Sequence, residues 1–442
     1  MAHSSHHERG PTPPPSYESI TTPKIPLCYI DFMPQCLEQE KKMKYAQFET
    51  FDKLIVKANV FLRSRPDVLV KSVETVAKKC AYLQDIYSGK MYTDKLAFRH
   101  IVIYGLRVWF TIIQVRMTAL ELAYVNIIPV KLPSLEDSDY PNFQKLERLF
   151  EAFNRKLLID PLPGQIVSIE TVSIKIDKDT WFKFDGNFDW DSCSWYDGYK
   201  HHLFNFTRIF YLKGSPANEL IGIEDITPNR LDGKEDGIPK YESFNLMFKR
   251  AQQWIYDNIH TQKKLVNVKT IETPYFGTSL QESAGLTGRC HVIPGMSFCD
   301  NLHERGRVYF LRISYVVSRD SNLPRPELTY RTFVPGHDLE STIMEYQSLD
   351  DLMNHINSWI RVTKTNVVYA ETCECRLNAV KHDGILGTEC TSTGCSMPSD
   401  PTLAYRVIYF IRLYINGGFY EPAPELLDAV PSYPEKSDCD IL

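Results

Sequence analysis

The most apolar stretch of the chain, Ile101 to Val130, is interrupted by Arg107, Arg116 and Glu121, so no run of roughly 18 to 20 residues is free of charge. A segment this greasy with a guanidinium inside it predicts a buried strand or core helix, not a membrane span. The chain has 442 residues, 43% of them hydrophobic, which exceeds one typical core and predicts two globular units with tails. Met1 to Gly10 is polar and histidine-rich, without the apolar centre of a secretory signal. Eleven cysteines at scattered spacing suggest thiols of a reducing compartment, so folding is expected in the cytosol and the sequon Asn205-Phe206-Thr207 is expected to be silent.

The net charge of −5 is unevenly spread. Residues 1–120 hold 17 Lys/Arg against 11 Asp/Glu, while the remainder holds 33 against 44. The basic front includes Lys41, Lys42, Lys44, Arg63 and Arg65, candidates for contact with anionic lipid or a ribonucleoprotein, followed by Lys71, Lys78 and Lys79. Solvated faces of helices and strands are the competing reading.

Prolines at 11, 13, 14, 15, 23, 26 and 34 forbid regular structure, so residues 1–40 read as a disordered arm. Consecutive prolines fix φ and lack amide donors, which pre-sets an extended polyproline II segment. Within it Pro14-Pro15-Ser16-Tyr17 completes the PPxY pattern that WW domains of HECT-type ubiquitin ligases take in an aromatic groove. A solvated linker is the bland alternative. Pro11-Thr12-Pro13-Pro14 approximates an ESCRT ligand with one mismatch, and Tyr17-Glu18-Ser19-Ile20 fits a tyrosine sorting signal.

Further along, residues 51–62 are dense in β-branched and aromatic side chains and predict a strand. Leu69, Val73, Val76, Ala77, Cys80 and Leu83 recur at three and four residues and predict a helix over 68–87. Leu96 to Val115 is strand or core helix. A helix over 142–156, strands at 166–176, 181–185 and 203–212, a helix over 241–260 and a strand at 265–271 follow. Residues 274–304, rich in Gly, Ser and Thr, read as a linker or long loop. A second unit starts with a strand at 308–317, then a helix at 349–359 and strands at 366–371 and 405–414. The expected fold is α+β: two β-rich, sandwich-like domains with packed helices, at 41–273 and 305–430, and a flexible tail at 431–442. Strand, helix and apolar return recur in both, so a duplication is carried as a hypothesis.

Candidate chemistry is sparse. Asp185, Asn187 and Asp189 mimic the start of an EF-hand loop, but Trp190 stands where Gly is needed and Tyr196 where a bidentate Glu is needed, which favours a tryptophan-anchored loop. Cys373, Cys375, Cys390 and Cys395, with His382 nearby, offer four soft ligands without the usual knuckle spacing; unpaired thiols are the alternative to zinc. His201-His202 reads as a surface pair. No nucleophile elbow, phosphate loop or H-E-x-x-H occurs, so no catalytic residue, cofactor or enzymatic activity is expected. Cys439-Asp440-Ile441-Leu442 has prenylation geometry, with a PDZ-type ligand or an inert tail as alternatives.

The arm and first unit resemble the matrix proteins of nonsegmented negative-strand RNA viruses, rhabdoviruses above all. Lys44-Tyr45 through Phe51, Val56, Ala58, Val60 and Arg63-Ser64-Arg65-Pro66 is similar to the opening strand of vesiculovirus matrix proteins. Leu83-Gln84-Asp85-Ile86-Tyr87-Ser88-Gly89 with Ile101-Val102-Ile103-Tyr104-Gly105-Leu106 resembles the lyssavirus counterpart. The resemblance covers residues 11–110. The chain is about twice the length of those proteins, and it lacks their lysine cluster before the late motif. What it implies is a self-assembling protein beneath the virion envelope and on the inner face of host membranes. Its implied partners are further copies of itself, the anionic leaflet, the nucleocapsid, and host WW-domain ligases and ESCRT components, without sequence-specific nucleic-acid contact. A cellular arrestin-like adaptor that links cargo to WW-domain ligases is the alternative.

Overall fold

The computed structural model describes residues 26–38, 47–80, 86, 89–95, 100–114, 119–133, 142–177, 189–197, 201–231, 240–260, 262–276, 298–300, 304–317, 325–336, 346–377, 388–394 and 405–428. The chain is α+β, and among the described residues sixteen strands sort into four four-stranded antiparallel sheets that belong to four repeated units, with four short strands in two further pairs. The first unit contains β1 (Leu27–Phe32), the small pair β2 (Cys36–Glu38) and β3 (Gln47–Phe48), α1 (Phe51–Ser64), β4 (Val68–Cys80), β5 (Tyr92–Lys95) and β6 (His100–Ile112). The second has β7 (Leu122–Ile127), the pair β8 (Lys131–Leu132) and β9 (Asn142–Phe143), α2 (Leu146–Ile159), β10 (Gly164–Asp177), β11 (Ser194–Asp197) and β12 (His201–Lys213). The third has β13 (Leu220–Ile226), α3 (Phe244–Asn258), β14 (Lys263–Phe276), β15 (Phe298–Asp300) and β16 (Glu304–Val317). The fourth has β17 (Leu328–Phe333), α4 (Leu349–Thr363), β18 (Asn366–Leu377), β19 (Ser392–Gly394) and β20 (Tyr405–Asn416).

Each unit runs outer strand, helix, inner strand, middle strand. The long inner and middle strands form a hairpin, and the outer strand covers the other edge of the middle strand. The remaining length of that edge is filled by a short strand lent by a neighbour. β11 of the second unit joins β6, β15 of the third joins β12, β19 of the fourth joins β16, and β5 of the first joins β20. The exchange closes on itself, so the four units form a wheel. Inner strands β4, β10, β14 and β18 stand around its axis, each against the next.

The helices sit between units. Each buries a stripe of residues at i, i+3, i+4 and i+11, such as Phe51, Leu54, Ile55 and Leu62 in α1. The four cores lie under these stripes, and each includes residues of the following outer strand: Leu122 under α1, Ile221 under α2, Leu328 under α3 and Leu27 under α4. An amide at the ninth helical position fastens each junction. Asn59 bonds both N and O of Leu122, Asn154 both of Ile221 and Asn357 both of Leu27, while Gln252 donates to the Leu328 carbonyl. An unpaired strand edge is thus satisfied by a side chain of the preceding unit.

Several sequence expectations are corrected. Residues 51–62 are helix, not strand: spacing decides over β-branched content when one face must be buried. Residues 68–80 are strand, not helix. A β-bulge between Val70 and Ser72 shifts the phase of β4, so apolar residues fall at intervals of three. The other inner strands carry bulges at Ile166/Ser168, Leu265/Asn267 and Val367/Tyr369, four residues before their own threonines. Residues 27–38 of the expected arm are β1 and β2; Pro26 and Pro34 bracket β1 instead of breaking it. The expected boundary at 274–304 falls within the β14–β16 hairpin, whose strands pair from Lys263/Val317 to Phe276/Glu304. Within Leu96 to Val115, His100–Ile112 is the strand β6. The strand expected at 181–185, the rest of the arm and the tail at 431–442 lie outside the described residues.

Candidate functional site

Each middle strand carries one arginine at its centre, and all four are buried: Arg107, Arg208, Arg312 and Arg412 are 0%, 2%, 4% and 1% exposed. Opposite them on the inner strands stand Glu74, Glu170, Lys269 and Glu371, each followed by threonine: Thr75, Thr171, Thr270 and Thr372. The motif reads V-E-T-V, I-E-T-V, V-K-T-I and A-E-T-C at intervals of 96, 99 and 102 residues.

Every arginine reaches the threonine of the preceding unit. Arg208 Nη1 donates to Thr75 Oγ1 at 3.0 Å, Arg312 to Thr171 at 2.6 Å, Arg412 to Thr270 at 2.8 Å and Arg107 to Thr372 at 2.8 Å. The glutamates use the same threonines. Glu74 accepts from Thr372 N at 3.1 Å and Oγ1 at 2.6 Å, and Glu371 from Thr270 N at 2.6 Å and Oγ1 at 3.1 Å. Glu170 accepts from Thr75 N at 2.9 Å and from its hydroxyl. At Thr171 no carboxylate takes this place among the described residues, because the equivalent side chain is Lys269.

The arginines differ in pairs. Arg107 and Arg312 hold Asp31 and Asp225 in two-pronged ion pairs at 2.6 to 2.8 Å. Arg208 and Arg412 meet neutral Asn126 and Thr332 instead, and lie 3.6 Å over Phe51 and 3.5 Å over Phe244, the first residues of α1 and α3. Phe51 N bonds the Asp191 carbonyl and Phe244 N the Glu389 carbonyl, while Tyr124 and Tyr330 donate to the same two acids. The first and third units therefore match each other more closely than their neighbours, as do the second and fourth. This alternation is what a repeat of residues 27–213 as 220–416 would leave.

Lys269 departs from this rule and crosses the axis, with its Nζ 2.9 Å from Glu74 Oε2. Burial disfavours its charge, but Glu74, Glu371 and Glu170 together raise its pKa. Burial likewise opposes ionisation of Glu74, yet Lys269 and Arg107 hold its carboxyl at about 2. Glu170 is pushed up, because burial outweighs Arg208 and Lys269. The four arginines and Lys269 balance Asp31, Glu74, Glu170, Asp225 and Glu371, five charges of each sign. A fourth glutamate would place four carboxylates about one buried axis.

Beyond the threonines lies a cavity of about 270 Å³, floored by the four hydroxyl residues and Glu170 and rimmed by the ion pairs Lys79–Glu374 and Arg307–Glu272. A smaller cavity of about 140 Å³ adjoins Arg412, Cys373 and Cys390.

No protein-family model, curated protein or solved structure matches this chain.

The structure places some of the residues singled out from sequence. Arg63 and Arg65 lie together at the C-terminal end of α1. Arg63 donates to the Asn59 carbonyl, and Arg65 is held by Asp67 in a two-pronged pair at 2.8 Å. Cys373 and Cys375 share one buried face of β18, packed with Phe410 of β20, and burial, with the nearby Cys390, pushes the Cys375 thiol up to about 12. Among the described residues no three His, Cys, Asp or Glu side chains converge on one point. Trp190 packs on Phe204 and Phe206, while residues 178–188 before it lie outside the described residues. Pro11, Thr12, Pro14, Pro15, Tyr17, Lys41, Lys42, Lys44, Cys395 and Cys439 lie outside the described residues. Sequence reading missed the axial cluster. The E/K-T tetrapeptide, recurring about every 100 residues, was the signal that marks it.

Proposed function

We propose that the chain is a structural, non-enzymatic protein of the viral matrix class, which assembles under a membrane and recruits WW-domain ubiquitin ligases through Pro14-Pro15-Ser16-Tyr17. The observation that carries the reading is the complete PPxY motif, set ten residues before β1. The character of the folded body supports it: the buried arginines, glutamates and threonines are bonded to one another across unit junctions, which is the work of a rigid scaffold. Weak contacts of a short peptide and of basic residues such as Arg63 then gain strength when many copies are held together.

The test combines binding and release. Full-length protein should be retained by a WW domain from a HECT-type ligase, and Tyr17→Ala should abolish retention while leaving the thermal unfolding curve unchanged. Expressed alone in cells, the wild-type chain should appear in released particles and Tyr17→Ala should reduce that release severalfold. Equal release by both proteins contradicts the late-domain role. A monomer that is retained by WW domains but releases no particles supports the adaptor reading instead.

A further inference from the structure

The wheel has four junctions of the same design, and the chain crosses only three of them. The first unit passes to the second between Ile112 and Leu122, the second to the third between Lys213 and Leu220, and the third to the fourth between Val317 and Leu328. The fourth meets the first through non-covalent contacts alone. That junction carries a lent strand, a helix amide on the outer strand, and an arginine and a carboxylate on the threonine: β5 on β20, Asn357 on Leu27, and Arg107 and Glu74 on Thr372. It adds Tyr29 Oη to Asp350 at 2.6 Å and Lys79 to Glu374 at 2.9 Å. By contrast, the covalently bridged junction of the second and third units is the one at which Lys269 replaces the glutamate of the Glu–Thr clasp.

We infer that the junction between the first and fourth units is a heterologous interface, through which the wheel opens and joins head to tail with a second copy of this chain. The physical reason is that closing within one copy and pairing between two copies make identical contacts. Only the effective concentration differs, which for a short flexible tether is on the order of millimolar and is higher for end units held in place by three further junctions. Dilute protein therefore stays a closed wheel, while protein crowded above that concentration exchanges its end units. A junction repeated head to tail yields a larger ring if it closes and an open polymer if it does not. The inference stands apart from the WW-ligand reading, since exchange between copies can be read whether or not Tyr17 recruits a partner.

Thr93 in β5 and Val407 in β20 are direct partners across the junction, at a spacing suited to a disulfide. Full-length Thr93→Cys and full-length Val407→Cys are mixed, either native over a range of concentrations or after refolding together from denaturant, and then oxidised. The link between the two introduced thiols is identified by peptide mass, which separates it from links among the native cysteines. The expected result is a covalent two-copy species, its fraction rising up to about tenfold for a tenfold rise in concentration while it is small. The double variant Thr93→Cys/Val407→Cys should form the same link within one copy when dilute. Absence of the intercopy link under all conditions, while the double variant closes internally, overturns the inference. Failure of the double variant to close in native protein overturns it as well, because the junction itself is then not built as described.

Discussion

Lys269 Nζ lies 2.9 Å from Glu74 Oε2, joining the inner strands of the first and third units across the axis of the wheel. Both side chains are almost wholly buried, so each depends on the other to remain charged inside the protein.

Lys269→Met leaves Glu74 and its neighbouring carboxylates without their shared cation and should lower unfolding free energy by about 3 to 5 kcal/mol in chemical denaturation. Lys269→Glu should prevent recovery of folded protein, since four carboxylates would then meet about the axis. The double variant Lys269→Met/Glu74→Gln should recover part of the loss, because it removes the uncompensated charge as well.

Thr75 and Thr171 occupy equivalent positions with different partners. Thr75 accepts from Arg208 and donates to Glu170, whereas among the described residues Thr171 accepts only from Arg312. Thr75→Val should therefore cost about 2 to 3 kcal/mol and Thr171→Val about 1 kcal/mol, compared by urea titration. Equal losses would show that the carboxylate clasp contributes nothing.

Asn357→Ala strips both backbone bonds from Leu27 at the junction without a covalent link. Stability should fall by about 1 to 3 kcal/mol, and amide exchange in β1 should accelerate before that of β6. The equivalent change at Asn59 should leave β1 exchange unaltered and speed exchange in β7 instead.

Lys78 is buried over the Tyr409 ring and donates to the Lys90 carbonyl; burial first, then Arg107, push its pKa down to about 7. Asp31 and the Cys80 thiol act in the other direction. Between that value and the ordinary 10.5, the folded amine is neutral and the unfolded amine charged, so unfolding takes up a proton. Stability from this group is complete above about pH 10.5 and is lost as pH falls to about 7, at up to about 1.4 kcal/mol per pH unit. Lys78→Met should remove that slope, read as the difference between the two proteins' denaturation midpoints from pH 7 to 10.

The contrast between α1 and β4 shows what was legible in the sequence. Long periodic helices such as α3 and α4 were visible, because an apolar stripe at helical spacing has one interpretation. The β4 strand was hidden by its bulge and by Glu74 and Lys78 at inward positions, where an apolar residue would have revealed alternation. Arg107 was noticed as an interruption of an apolar run. Its meaning depended on Asp31 and Thr372, which are 76 and 265 residues away and belong to opposite ends of the chain. The repeat itself was legible only in part, because each unit keeps the clasp residues and varies nearly everything else. Gly105 illustrates this: the other middle strands have Phe206, Phe310 and Phe410 at that position, and in the first unit the Met33 sulfur occupies the space.

Closure of the wheel is tested most directly by a double-mutant cycle between Glu74 and Thr372, which lie 298 residues apart and meet only if the first and fourth units join. Unfolding free energies of Glu74→Gln, Thr372→Val and the double variant are measured by chemical denaturation. A closed wheel predicts a coupling energy of about 1 to 3 kcal/mol, and losses that add to within about 0.5 kcal/mol would contradict it.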